Sequence, residues 1–134
     1  MIRQNRQKFA KLMTQDAEAF GKLKKQLSQK NSRSDLDRAF KVTAAIPYGI
    51  SELSVKTLEL ALKEAPQTSR WLASDLAEAA ILLEAACLSG RLNVEINLKS
   101  MKNKRFVREE AARLDRLEKK AARLKNKLMR VLTG

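Results

Sequence analysis

Five side chains in this sequence have the types and spacing to do chemistry: Asp16, Asp75, Asn93, Asn97 and Lys99. Asp75 follows Ser74 at the head of an alanine-rich apolar run. An acid at such a helix start can serve as a capping device or can hold a substrate amine. Asn93 and Asn97 are four apart and share one helix face. Asparagine is a poor interior helix residue, so two of them beside apolar neighbours either cross-link helices or read the amides of a heteroaromatic ligand. Lys99, on the next turn, is a possible anion contact. Asp16 falls in line with Met13 and Phe20 on an apolar stripe, as either a boundary residue or a buried, paired group.

The sequence has no histidine. That removes the commonest general base near neutral pH and the commonest zinc ligand. With a single cysteine as well, no metal site is expected. Proton transfer would fall to Asp, Glu, Lys, Tyr or a water held by amides. The one tyrosine, Tyr48, reads as a packing residue with a polar tip rather than a catalytic phenol. There is no glycine-rich phosphate loop and no Ser/His/Asp set.

The elements that must position these residues read as helices. At 134 residues the chain is long enough for one domain with a modest core. Hydrophobic residues make up 44%, mostly Ala and Leu, and Gly (4) and Pro (2) are scarce, a composition that favours an all-α helical bundle. A first helix over residues 2–28 carries Phe9, Leu12, Met13, Phe20, Leu23 and Leu27 at three- and four-residue steps. After a polar turn at 28–33, Ser34 is the expected N-cap, with Asp35 and Asp37 in the first turn. Pro47, with Gly49 close by, should end or kink that helix near Ile46, giving two halves. A further helix should start between Thr68 and Ser74, with Trp71 as a packing anchor. Its alanines suit the centre of a bundle, and Gly90 is its natural C-cap or break. Residues 92–99 alternate like a strand but have no second strand to pair with, so they read as helical. The last segment, about 103–132, is a long amphipathic helix with Val107, Leu114, Leu117, Ala121, Leu124, Leu128 and Val131 in heptad spacing, and it should pack along another helix.

The net charge of +13 is uneven. Residues 1–41 hold 11 basic and 4 acidic side chains, residues 42–98 hold 4 and 7, and residues 99–134 hold 13 and 4. Basic ends attract nucleic acid, an anionic surface or a carboxylate-bearing ligand, or are simply a solvated helix surface. No apolar run of membrane-spanning length is present, and the basic N-terminus lacks a secretory signal's apolar region. Cys87 sits alone in an apolar run, which points to a buried, inert thiol and a reducing, cytoplasmic setting.

Taken together, certain stretches resemble the formiminotransferase-cyclodeaminase and methenyltetrahydrofolate cyclohydrolase family of folate one-carbon metabolism. These are S-D-L-A-E-A-A-I-L-L-E-A-A from Ser74, G-R-L-N-V-E-I-N-L-K-S-M-K-N from Gly90, and F-V at Phe106. D-A-E-A-F at Asp16, A-A-I-P at Ala44 and A-L-K-E-A at Ala61 agree in order and approximate spacing. The likeness runs from about Leu12 to Val107, and N-V-E-I-N-L-K-S is its specific part. It implies an all-helical domain that dimerises and binds a tetrahydrofolate carrying a formimino or methenyl unit, with no metal. On that likeness Asp16 and Asp75 would handle protons or amine groups. Asn93 and Asn97 would orient the pterin amides, and Lys99 would meet a carboxylate. Family members usually begin with a further helical region holding a P-G-G-G-S-like segment, which has no counterpart here. The expectation is therefore a fragment, a site completed by a partner chain, or a shortened relative. The alternative is a non-catalytic helical interaction protein that binds nucleic acid or an acidic partner through its basic ends. A structural subunit assembled on the C-terminal seam is a third.

Overall fold

The computed structural model describes residues 2–29 and 33–134. They form four α-helices and no strand: α1 (Ile2–Leu27), α2 (Arg33–Glu64), α3 (Ala73–Lys99) and α4 (Lys104–Thr133). Two 3-10 turns, Ala65–Gln67 and Arg70–Leu72, join α2 to α3. Residues 92–99 are helical as expected, and α4 occupies the expected C-terminal stretch. The expected cap at Ser34 concerns a side chain outside those described, as do residues 30–32 of the expected turn.

The central helix is α2, which packs against each of the other three. It divides its faces by helical geometry. Gly49 turns toward α1, where a Cβ would sit 3.4 Å from the Leu12 side chain. Pro47 and Ser51, two residues to either side and so rotated by about 200°, turn toward α3. The core has two lobes. One gathers Val55, Leu58, Ala80, Cys87, Ala121 and Leu128. The other gathers Leu23, Phe40, Val94, Leu98, Met101 and Leu114.

Neither Pro47 nor Gly90 ends its helix. α2 runs through Pro47 as one helix. Proline costs a helix interior about 3 kcal/mol, but a residue buried between helices is held there by its packing. Gly90 lies inside α3, and no glycine among the described residues has positive φ, so it is no C-cap. Its missing Cβ is what lets α3 close on α2. A Cβ there would meet the Ser51 hydroxyl and stand 2.6 Å from the Pro47 carbonyl oxygen. At this crossing Ser51 Oγ donates to the Cys87 carbonyl at 2.7 Å.

Other expectations are corrected as well. The start of α3 uses no Ser74–Asp75 cap, because the helix begins at Ala73 and its N-cap is Leu72 with no side-chain bond. Trp71 is no packing anchor, being 88% exposed. On α1, Leu23 is buried, whereas Met13, Phe20 and Leu27 are exposed.

Asp37 has a role its sequence position did not disclose. Its carboxylate accepts from the backbone amides of Lys102 (2.9 Å) and Asn103 (2.8 Å), tying the α3–α4 turn to the head of α2. Asn103 then caps α4 by accepting from the Phe106 amide at 3.1 Å. Hydrogen bonds to a charged acceptor are among the stronger ones, so Asp37→Ala is expected to cost about 1–3 kcal/mol. The check is a lowered urea midpoint with an unchanged m-value.

Candidate functional site

The five chemically promising residues fall into separate places. Asn93 and Asn97 lie one turn apart near the C-terminal end of α3, with Lys99 at that end. Asn93 and Lys99 are exposed and Asn97 is half-buried. Asn97 Nδ2 donates to the Asn93 carbonyl at 2.9 Å, so one amide is oriented by its own helix while the other faces outward. Asp75 is exposed at the opposite end of α3. Eighteen residues separate it from Asn93, about 27 Å along the axis. Asp16 is half-buried on α1, and α2 lies between α1 and α3. Within one chain, then, the asparagines and Lys99 are grouped, and the two aspartates stand apart from them.

Two open grooves flank the α1–α2 contact. One, of about 580 Å³, runs past Gln15, Glu18, Lys22, Arg38 and Thr43. The other, of about 710 Å³, is bordered by Asn5, Lys8, Lys11, Lys56 and Lys63, with Glu52 and Glu59. Neither groove is lined by any of the five residues.

Behind the asparagines, Arg91 anchors α3 to α4. Its guanidinium bonds Glu95 at 2.8 Å, Asp115 at 2.7 Å and Glu118. Its pKa is raised, first by the Glu95 hydrogen bond, so it is a permanent cation spent on carboxylates of its own chain. Lys125 with Glu84 (3.1 Å) extends this seam, and Lys120 with Glu59 ties α4 to α2. The sequence signal for Arg91 was an acid four residues on, at Glu95, but its two α4 partners are visible only in the fold. On the other flank, Arg113 lies over the Tyr48 ring, 4.5 Å from its centroid, and bonds the buried Glu110 at 3.2 Å. Tyr48 is thus occupied in packing, and burial raises its pKa.

Cys87 is buried, and burial is the leading cause that raises its thiol pKa, against a lowering hydrogen bond with Ser51. It is therefore expected to resist thiol reagents in the native protein and to react fully once denatured. A raised folded-state pKa favours the protonated thiol. The associated stability is complete below the ordinary thiol range and declines as pH rises through the folded value.

The fold is an all-helical bundle whose third helix carries one exposed amide, Asn93, a half-buried one, Asn97, and an exposed lysine at its end. The family model described as Formiminotransferase-cyclodeaminase matches residues 1–116. The chain belongs to that family. A comparison with curated proteins gives no match. Among solved structures, the chain is similar to formiminotetrahydrofolate cyclodeaminase from Thermotoga maritima, with 28% sequence identity and a TM-score of 0.89. That likeness covers 98% of this chain, which spans 66% of the length of the Thermotoga protein. Among the described residues, no helix is long and apolar enough to cross a membrane.

Proposed function

We propose that the protein is a folate-binding cyclodeaminase that acts on formimino-tetrahydrofolate in the cytoplasm, together with a second chain. Folate N10 attacks the formimino carbon, forming the N10–C bond. The bond from that carbon to the imino nitrogen breaks, and ammonia leaves, giving methenyl-tetrahydrofolate. N10 must lose its proton and the departing nitrogen must gain protons, which calls for a positioned acid–base group. With no histidine in the chain, Asp75 and Asp16 are the groups assigned to that work. Asn93 and Asn97 present amides that match the donors and acceptors of a pterin, and Lys99 meets a folate carboxylate. The related methenyl-tetrahydrofolate cyclohydrolase step would use the same contacts.

The observation that carries this reading is the family match over residues 1–116, which includes the whole of α3. The test is incubation with formimino-tetrahydrofolate, following methenyl absorbance and released ammonia. The reading expects the two products in equal amounts. No turnover and no folate affinity in the assembled protein would sink it.

A second reading has its own support in α4. Arg108, Arg116, Lys119, Arg123, Lys127 and Arg130 are all exposed on that helix. Such a face fits the phosphate backbone of a nucleic acid without a base preference. Duplex binding that falls steeply with salt would favour it, and absence of binding at low salt removes it.

A further inference from the structure

We infer that Asp37 is a positioning residue for the substrate. From the head of α2 it holds the last turn of α3, and with it Asn97 and Lys99, in the geometry that meets the folate. The inference rests on the folate reading for what those two side chains touch, and on the structure for how they are held.

The first observation is where Asn97 and Lys99 stand. Both lie in the last turn of α3, which ends at Lys99. The final four carbonyls of a helix have no partner within it, and such a turn frays unless its surroundings hold it. Here the Ser100 amide reaches back to the Asn97 carbonyl at 3.3 Å, and the Met101 amide to the Leu98 carbonyl at 3.1 Å. Those two bonds keep the turn wound only while the residues that follow are themselves fixed.

The second observation is what fixes them. The amides of Lys102 and Asn103 donate to the Asp37 carboxylate, one to each oxygen, at 2.9 and 2.8 Å. Two bonds to the two oxygens of one carboxylate set direction as well as distance. The same stretch of α2 adds two further holds. Lys41, one turn on, lies over the Phe106 ring, 4.4 Å from its centroid. Phe40 shares a buried lobe with Leu98 and Met101. Phe40 and Lys41 act on side chains, whereas Asp37 grips the backbone of the turn itself.

The third observation is how short the linkage is. Lys102, the first clamped amide, comes three residues after Lys99. Between them Met101 is only 2% exposed and is locked in the core, so the connection has little slack. Loss of the clamp therefore moves the end of α3 rather than being absorbed in a loop. A binding group displaced by about 1 Å can cost up to about 10²-fold. Asp37 works through the backbone, since each of its oxygens already accepts an amide.

The experiment separates KM from kcat on formimino-tetrahydrofolate. If Asp37 only stabilised the fold, Asp37→Ala would lose active molecules, and kcat would fall at unchanged KM. As a positioning residue it should raise KM by about 10- to 100-fold and leave kcat within about twofold. Asp37→Asn keeps one acceptor oxygen, so it should fall between the two, and it serves where Asp37→Ala does not fold. In a chain already carrying Asn97→Ala and Lys99→Ala, Asp37→Ala should add little, because it acts through those residues. Hydrogen exchange reads the same claim without substrate. In Asp37→Ala, protection should be lost at Ser100 and Met101 as well as at Lys102 and Asn103, and kept around Cys87 at the α2–α3 crossing. A lowered kcat at unchanged KM would overturn the proposal, as would retained protection at Ser100 and Met101. If exchange spreads as stated but the native chain neither binds nor turns over folate, the folate reading fails and the clamp on α3 stands.

Discussion

Replacing Asp75 by Asn is expected to lower kcat on formimino-tetrahydrofolate by about 10²–10⁴-fold, the range lost when a positioned acid–base group is removed. Mass in solution and helicity should be unchanged, because Asp75 is exposed and makes no capping bond for α3. Asn93→Ala should instead raise the substrate requirement, since an amide that orients the pterin acts in ground state and transition state alike. Single-turnover kinetics separate the two effects. Equal loss in both parameters at Asn93 would mean that it is not a simple binding group.

Gly90→Ala is the second large effect, and it falls on stability. The new Cβ would stand 2.6 Å from the Pro47 carbonyl and closer still to the Ser51 hydroxyl. A hydroxyl can rotate away, but a backbone carbonyl cannot, so α2 and α3 must separate. Overpacking of this kind costs about 1–3 kcal/mol. Gly21→Ala is the matched control. It also lies within a helix, but a Cβ there meets nothing within 4 Å. It should gain about 0.5–1 kcal/mol from helix propensity alone. Urea melts of the two variants should therefore shift in opposite directions.

These two glycines mark how far the sequence could be read. Their local contexts are alike, both within helical periodicity, and only the neighbour across the crossing distinguishes them. A helix end at Pro47 fails for the same reason, because the signal of a proline is local while the packing that retains it within α2 comes from other helices. The helical class was legible because composition and periodicity act within each segment. Residues 92–99 were assigned to helix because a lone strand has no hydrogen-bond partner, and the α3 boundary at Lys99 agrees. Asp37 was read as a dipole acid and turned out to hold the α3–α4 turn sixty-five residues away. The sequence places Trp71 inside because large aromatics usually are, whereas the fold leaves it 88% exposed beside the start of α3.

The candidate residues were legible as types but not as a constellation. The spacing of Asn93 and Asn97 fixes a shared helix face from sequence alone. Nothing in the chain order says that Asp75 lies a full helix away from them, and nothing in one chain brings it back. For Asp75 and the asparagines to act on one folate, as the proposed function has it, the site must be divided between two chains.

Subunit complementation tests that directly. Chains bearing Asp75→Ala and chains bearing Asn93→Ala should each be nearly inactive alone. When they are mixed in equal amounts and allowed to exchange, half the dimers are mixed, and each mixed dimer holds one site with both residues native. Activity should return to about a quarter of the native value, the fraction a two-fold dimer with shared sites dictates. Return of no activity, in a mixture shown to contain mixed dimers, would contradict the account.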